Sequence, residues 1–209
     1  SRDWASGGFD RETVERLTGN GHLPMIAWEP WDHTQVLSGD RLRAIQPAYS
    51  LASIIEGRHD ELIRTWAAEA ARWGKPVALR FAHEMNGYWY PWSESANGNS
   101  DGEYVAAWRH VHRIFADEGA TNVIWVWSPN LADPTLTDID GLWPGDEFVD
   151  WVGLVGYLGT GIDPAQWTPT FDELFGPTIS QLRQFTDRPI VITEIGATEQ
   201  GGKKAEWIA

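Results

Sequence analysis

Short apolar runs alternate with amphipathic helical segments along this chain, and that alternation limits the folds open to it. A helical pattern spans residues 60–73, where apolar side chains recur at the spacing of one helix face. The apolar run 77–83 follows it and reads as a buried strand. A second helix is predicted to open at Ser100, whose spacing to Glu103 matches a capping box, and to end at Gly119. Strands that alternate with helices predict a parallel sheet, either doubly wound or closed into a barrel.

The same pattern predicts about six strands, with helices between most of them. The clearest strands are 77–83, 123–127, 151–157 and 190–193, and the weaker ones are 25–28 and 50–55. Further helices are predicted at 10–17 and 170–185. The second of these is expected to break at Gly176-Pro177, because proline is tolerated only near a helix start.

The ends of the predicted strands favour the barrel. No glycine-rich phosphate loop follows any strand, which argues against a doubly wound, nucleotide-binding fold. Polar and aromatic residues gather there instead, as they do on the active face of a barrel. A complete barrel needs roughly 250 residues, residues 1–9 hold no apolar run, and few residues follow Glu194. We expect an α/β fold, a (β/α)8 TIM-type barrel lacking its first and eighth strands, as a single domain over residues 1–209.

Charge and composition exclude several classes of partner. The formal net charge is −14, which disfavours nucleic acid, anionic membrane surfaces and acidic polysaccharide. The absence of cysteine excludes disulfide scaffolds and thiolate metal sites. The chain has 14 tryptophans, and we expect about half of them in the core. The others are expected to line a groove, because flat indole rings suit the apolar faces of sugars.

Two glutamates occupy equivalent positions in two similar segments. In each segment a basic residue and a proline precede an apolar run, which ends at Glu84 in one case and at Glu194 in the other. Parallel strands would bring both carboxylates to one face of a barrel. Glycoside hydrolysis needs such a pair, about 5–5.5 Å apart in retaining enzymes. The alternative is that each is a solvated loop residue or a helix cap.

The residues around both glutamates carry a more specific resemblance. Residues 80–87, Arg-Phe-Ala-His-Glu-Met-Asn-Gly, with Trp89 and Trp92, resemble the acid/base motif of glycoside hydrolase family 26. Residues 193–196, Thr-Glu-Ile-Gly, resemble its nucleophile motif. The resemblance implies a retaining (β/α)8 barrel with the acid/base after the fourth strand and the nucleophile after the seventh. If one first strand is absent, the strands before Glu84 and Glu194 become the fourth and the seventh.

The resemblance also implies roles for neighbouring residues. His83 would hydrogen-bond around the catalytic subsite, and Trp89 would be a subsite tryptophan. Tyr157 would hydrogen-bond the nucleophile and keep it ionised. The alternatives are a satisfied histidine at a strand end, plain packing, and an aromatic residue at the barrel rim. Further candidates for the substrate groove, or alternatively for packing, are Asn86, Trp92, Trp28, Trp31, Trp127 and Asn130.

These features together predict a secreted hydrolase that cleaves internal β-linkages of a neutral polysaccharide by double displacement. The family resemblance implies β-1,4-mannan as the commonest substrate, with mixed-linkage β-1,3-1,4-glucan and xylan as alternatives, and no cofactor. Carbohydrate-binding modules could be attached elsewhere in the parent protein. The family's stacking tryptophan after the eighth strand has no counterpart here. Two other classes stay open, a non-catalytic sugar-binding barrel and a metal-dependent hydrolase that uses His83 and Glu84 as ligands.

Overall fold

The computed structural model describes residues 1–35, 40–158, 169–197 and 204–205. Its centre is one sheet of six parallel strands, ordered along the sheet as they are along the chain. The strands are β1 (Arg2–Asp3), β2 (Met25–Glu29), β3 (Val77–Phe81), β4 (Val123–Trp127), β5 (Trp151–Leu158) and β6 (Ile190–Ala197). This partial (β/α) barrel confirms the predicted fold class.

Six α-helices accompany the sheet in the described residues. They are α1 (Arg11–Gly19), α2 (Asp40–Arg43), α3 (Leu51–Ile55), α4 (Asp60–Trp73), α5 (Glu103–Asp117) and α6 (Phe171–Leu182). Short 3₁₀ turns lie at Trp4–Ser6, His33–Gln35, Pro47–Tyr49, Asp140–Leu142 and Asp146–Phe148. No helix among these residues has both the length and the apolar character that a membrane crossing requires.

The predicted helix at 60–73 is confirmed as α4, and its ends have clear causes. Asp60 and Glu61 lie in its first turn, where negative charge is favoured by the helix dipole. Gly74 ends it in the left-handed conformation with a φ of 71°, which glycine adopts without strain. Its buried face carries Trp66 and Ala67, so α4 packs on the sheet through one side.

Two strand predictions were wrong, although the total of six strands was right. The segment 50–55 is instead helix α3 with its N-cap: the Ser50 side chain caps the helix by accepting the Ser53 N–H at 3.2 Å. Residues 1–9, expected to hold no strand, contain β1, whose two residues are too few to produce an apolar run. The order of strands still makes β3 and β6 the ones that lead to Glu84 and Glu194.

Two helix details also differ from expectation. Helix α6 continues through Pro177 without a break. A complete capping box between Thr170 and Glu173 fixes its first turn, and the side chains of Leu174, Phe175, Thr178 and Leu182 bury its inner face. Ser100 is not the cap of α5: Glu103 does accept the Ser100 N–H at 2.8 Å, but the helix starts after Gly102.

The sheet is strongly curled. Strands β3 and β6 are three places apart in the sheet, which in a flat sheet would separate them by about 14 Å. The guanidinium of Arg80 on β3 nevertheless forms an ion pair with the carboxylate of Glu194 on β6. The inner face of the sheet is therefore concave, and side chains from both strands meet across it.

The outer face of the sheet is covered by an aromatic core. Trp28 is fully buried and packs against Trp66 of α4 and Phe115 of α5, with ring centroids 4.9 and 5.7 Å away. The buried tryptophans are Trp4, Trp28, Trp31, Trp66, Trp73, Trp92, Trp108, Trp125 and Trp127. This exceeds the expected half, because the sheet, its helices and the segments after β2 and β3 all bury indoles.

Candidate active site

Glu84 lies just beyond the end of β3, where the chain turns sharply. Ala82 and Glu84 have positive φ angles of 43° and 53°, which are uncommon for residues with a side chain. The Glu84 N–H donates to the carbonyl of Ser128 at 2.7 Å, which holds the turn against the end of β4. Trp92 also donates from Nε1 to the His83 carbonyl at 2.7 Å. The strained backbone is thus fixed from two sides, and it holds the Glu84 carboxylate at the C-terminal end of β3.

Two side chains hold the Glu84 carboxylate. Trp89 donates from Nε1 to Oε2 at 2.9 Å, and Asn130 donates from Nδ2 to Oε1 at 3.0 Å. Burial raises the pKa of Glu84, and the charge of Glu194 raises it further. The two hydrogen bonds and the charge of Arg80 oppose that rise. Glu84 is therefore a poorly solvated carboxyl group suited to holding a proton.

Gly87 makes room for the Trp89 ring. A β-carbon at this position would lie 2.5 Å from Trp89 Cζ2, closer than such atoms can approach. The glycine therefore allows the indole to fold back over its own loop and to reach Glu84.

Asn86 supports the site from behind. It is completely buried, accepts the Asn130 N–H at 2.8 Å and donates from Nδ2 to the Asn130 carbonyl at 3.2 Å. Both ends of the Asn86 amide thus fix the loop that carries Asn130, and its contact with substrate stays a prediction.

Glu194 lies within β6 and is held by two residues from other strands. Arg80 of β3 donates from Nη1 to Oε1, and the Tyr157 hydroxyl of β5 donates to Oε2. Arg80 is itself only 3% exposed, and its Nε donates to Ser128 Oγ at 2.8 Å. These contacts fix both oxygens of the Glu194 carboxylate.

Tyr157 is 41% exposed and lies at the open side of the site. Partial burial raises its pKa to about 12, with the hydrogen bond to Glu194 as the second cause. The hydroxyl therefore stays protonated at neutral pH and donates to the carboxylate, as the resemblance implied for this residue.

A bulge in β6 positions Glu194. Leu154 pairs with Ile192, but the next residue of β5, Val155, pairs with Glu194, so Thr193 is one extra residue on β6. Thr193 donates from Oγ1 to the Leu154 carbonyl at 3.0 Å. Gly153 lies beneath it, and a β-carbon there would come within 2.6 Å of Thr193 Cγ2.

An aromatic cluster backs the site on the β2 side. Tyr90 and Trp92 stack with centroids 4.3 Å apart, and Trp31 meets both rings edge-on. His83 contacts the same two rings, and burial lowers its pKa well below the usual value, so its imidazole is neutral. No protein partner for His83 Nδ1 lies within the described residues.

Four tryptophans predicted as groove candidates are buried instead. Trp28 packs between the sheet and the helices, and Trp127 donates from Nε1 to the Leu142 carbonyl at 3.1 Å. Trp92 is fully buried beneath Tyr90, and Trp31 is buried with its Nε1 donating to Glu29 at 3.0 Å. Strand ends attract indoles for packing as well as for binding, so position alone could not separate the two roles.

Arg80 and Ser128 were missed as site residues by the sequence reasoning. The signal for Arg80 was present, because a charged residue inside an otherwise apolar strand needs a buried partner. Ser128 gave no signal, since a serine after a strand is ordinary. In the part of the chain that the structure describes, no group of three or more His, Asp or Glu side chains is arranged to hold a metal ion.

Known proteins resemble this chain over most of its length. The model of glycosyl hydrolase family 26 matches residues 46–200. Endoglucanase H of Acetivibrio thermocellus is 35% identical over 202 residues, which cover 95% of this chain and 21% of that protein. A mannan endo-1,4-beta-mannosidase of Bacillus subtilis is 25% identical over 208 residues, which cover 95% of this chain and 50% of that protein.

Solved structures agree with the fold. A GH26 beta-mannanase from Bacteroides ovatus superposes with a TM-score of 0.65 at 22% identity, covering 90% of this chain and 55% of that chain. This chain spans half or less of the two curated relatives named above. The family match covers well over half of this chain, and the chain belongs to glycosyl hydrolase family 26.

Proposed function

We propose that residues 1–209 form a single catalytic domain of a retaining endo-β-glycanase, with Glu84 as general acid/base and Glu194 as nucleophile. One observation carries the proposal. Two glutamates that are close enough for the charge of Glu194 to raise the pKa of Glu84 have contrasting surroundings, Glu84 desolvated and Glu194 held by Arg80 and Tyr157. Carboxyl groups in contrasting environments divide the roles of acid and nucleophile between them.

The first step breaks the glycosidic bond. Glu84 gives its proton to the departing oxygen while Glu194 attacks the anomeric carbon, forming a glycosyl-enzyme ester and a free chain end. Glu84 is suited to this because burial favours its neutral form. Arg80 and Tyr157 are suited to orient Glu194, because each contacts a different carboxylate oxygen.

The second step releases the sugar. Glu84, now a carboxylate, takes a proton from a water molecule, whose oxygen attacks the anomeric carbon and displaces Glu194. Trp89 and Asn130 stabilise the ionised state of Glu84 in this interval by donating to its two oxygens. The product keeps the β configuration, and both glutamates return to their initial protonation states.

The proposed substrate is a neutral β-glycan, with β-1,4-mannan first and mixed-linkage β-1,3-1,4-glucan second. The mannanase relative and the mannanase structure support the first, and endoglucanase H supports the second. A chain of net charge −14 disfavours anionic polymers. Hydrolysis rates on mannan, mixed-linkage β-glucan and β-1,3-xylan, compared as kcat/KM, test this order directly.

Azide rescue of two variants tests the mechanism. For Glu194→Ala, we expect activity on an aryl β-glycoside to fall to background, and added azide to restore turnover with an α-glycosyl azide as product. For Glu84→Ala, azide should give the β-glycosyl azide, because the glycosyl-enzyme still forms when the leaving group needs no proton. Loss of the acid should cost about 10²–10⁴-fold on the natural polymer.

Glu94→Gln is a matched control for these variants. Glu94 is a buried glutamate, 9% exposed, but it accepts the N–H of Tyr104 at 3.0 Å and so holds the start of helix α5. The activity of Glu94→Gln should equal that of the wild type. Full activity of Glu194→Ala would contradict the proposal, and glycan binding without hydrolysis by the wild type would favour a non-catalytic sugar-binding barrel instead.

Secretion and attached carbohydrate-binding modules are proposed for the parent protein. A polysaccharide is too large to enter a cell, so an enzyme that cleaves its internal bonds needs to act outside. The chain covers only 21% of endoglucanase H, which leaves room in such relatives for further domains. Detection of the activity in culture medium, and not in washed cells, would support secretion.

A further inference from the structure

The inner face of the sheet carries a layer of polar side chains. Neighbouring residues of a strand point to opposite faces. Trp28 of β2 and Phe81 of β3 contact helix residues, so Glu29 and Arg80 beside them point inward. Arg80 meets Glu194 on that inner face. Glu29 therefore belongs to the same layer as the proposed catalytic pair, one strand to the side of β3.

Glu29 is buried but sparsely bonded. It is 9% exposed, and the hydrogen bond found for its side chain in the described residues comes from Trp31 Nε1 to Oε2 at 3.0 Å. A carboxylate can accept about four hydrogen bonds on its two oxygens. Burial raises the pKa of Glu29, and the Trp31 hydrogen bond opposes the rise. Oε1 thus retains acceptor capacity on the face where a glycan would lie.

The neighbouring carboxylate shows what a structural role looks like in this layer. Asp3 of β1 is paired in register with Glu29. Its oxygens accept the backbone N–H groups of Ser6 at 2.8 Å and His33 at 2.9 Å, and they also contact the His33 ring. Asp3 is therefore committed to holding the turns after β1 and β2, whereas Glu29 holds only one indole.

Two polar atoms from β3 and the turn that follows it are also unused. Arg80 Nη2 and His83 Nδ1 are buried and have no hydrogen-bond partner among the described residues. The two residues are 3% and 4% exposed. Buried polar groups are normally satisfied. The orphaned nitrogens of Arg80 and His83, together with the sparsely bonded carboxylate of Glu29 on which the Arg80 charge acts, indicate an incomplete polar network.

We propose that Glu29 contacts the substrate, accepting hydrogen bonds from hydroxyl groups of a sugar unit bound on the β2 side of Glu84. This inference rests on the proposed function and names one side chain that recognises the glycan. Sugar hydroxyls donate well to a carboxylate, and such charge-assisted bonds are stronger than neutral ones. A uronic acid at the same position would be repelled, which fits a neutral glycan.

Binding can be measured without turnover in the Glu194→Ala background. Mannohexaose and a mixed-linkage glucohexaose would be titrated calorimetrically against Glu194→Ala alone and against the same variant with Glu29→Gln. We expect the added substitution to weaken binding of the preferred hexasaccharide about 10–100-fold, the range for a lost hydrogen bond to a charged group. Glu94→Gln, added to the same background, should leave the affinity unchanged.

A second variant separates contact from folding. Glu29→Asp keeps the charge but withdraws the carboxylate by one methylene, so affinity should fall while the melting temperature stays near that of the background. Affinities for Glu29→Gln and Glu29→Asp equal to the Glu94→Gln control would overturn the inference. A wild type that cleaves no glycan would refute the proposed function instead, and the binding comparison would still decide the role of Glu29.

Discussion

Glu84 and Glu194 have the same side chain, but their neighbours place the two carboxyl groups in different environments. Glu84 is buried, and Trp89 and Asn130 donate to its oxygens. Its pKa is therefore a balance between desolvation, which raises it, and donors, which lower it. Glu194 is tied instead to Arg80, a permanent charge. Changing one donor on Glu84 should move the balance without touching Glu194.

Trp89→Phe should shift the alkaline limb of the pH profile upward. In the proposed first step Glu84 must be protonated, so kcat/KM should fall as pH rises through its pKa. The Trp89 N–H stabilises the carboxylate, and its removal raises the pKa of Glu84. The limb position, measured from kcat/KM against pH, is the test. Trp143→Phe, which alters a half-buried indole packed on Trp127, should leave it in place.

Glu29→Gln should raise the melting temperature near pH 7. The folded-state pKa of Glu29 is raised by burial, so its ionisation in the folded protein costs stability as pH rises above the unfolded value near 4.5. Glutamine removes the charge and can still accept the Trp31 hydrogen bond. Melting curves should show the gain at pH 7 and its loss below pH 4.5. An equal gain at both pH values would argue against an ionisation cost.

At the scale of elements, the sequence pattern predicted most strands but took one short helix for a strand. β3 and β4 are short, mostly apolar runs preceded by Pro76 and Asn122, and their pattern is clear. Residues 50–55 misled the prediction, because five apolar or small residues suit a helix as well as a strand. The cap at Ser50 decided the outcome. The local sequence pattern could not identify Ser50 as a helix cap, since serine also occurs in loops.

The site was predictable where motifs are contiguous and not where contacts cross the sheet. Glu84, Trp89 and Asn130 converge as expected, and the resemblance directed attention to Tyr157. The link from Arg80 to Glu194 depends on the curl of four strands, which no short segment encodes. The extra residue in β6 is similarly visible only in the pairing of β5 with β6.

Gly153→Ala should disable the enzyme by displacing this bulge. A β-carbon there would lie 2.6 Å from Thr193 Cγ2 and 2.9 Å from the Ser128 side chain. Moving Thr193 moves Glu194, and a misplacement of about 1 Å can cost 10²-fold in rate. Thr193→Ser removes the clashing methyl group and should restore part of kcat in the double variant. Equal activity of single and double variants would contradict this account. Gly141→Ala, where a β-carbon meets nothing within 4 Å, is the control.

At the scale of the whole molecule, one aromatic layer joins the sheet to its helices. Trp28 lies at its centre, in contact with Trp4, Trp66 and Phe115. Ring pairs of this kind add to the free energy gained by burying large apolar surfaces. The stability of the domain and the chemistry of its inner face therefore depend on opposite faces of the same strands.

Trp28→Ala should lower the free energy of unfolding by about 3–5 kcal/mol, the usual cost of deleting a buried tryptophan. Urea denaturation followed by circular dichroism measures it. Oligosaccharide affinity of the remaining folded protein should be unchanged, because Trp28 faces the helices. An unchanged free energy of unfolding with weakened oligosaccharide binding would instead indicate that Trp28 lines the substrate groove.

Because the curl of the sheet brings β3 close to β6, hydrolytic activity should be sensitive to the shape of the sheet. The arginine that spans the concave face fixes how far the last strand stands from the third. Heating that slightly flattens the sheet would separate Glu84 from Glu194, the proposed catalytic pair, while the tryptophan layer behind the sheet stays packed. Hydrolytic activity should then be lost at a temperature below the melting temperature. A cross-link between the edge strands β1 and β6 should raise the temperature of inactivation more than it raises the melting temperature.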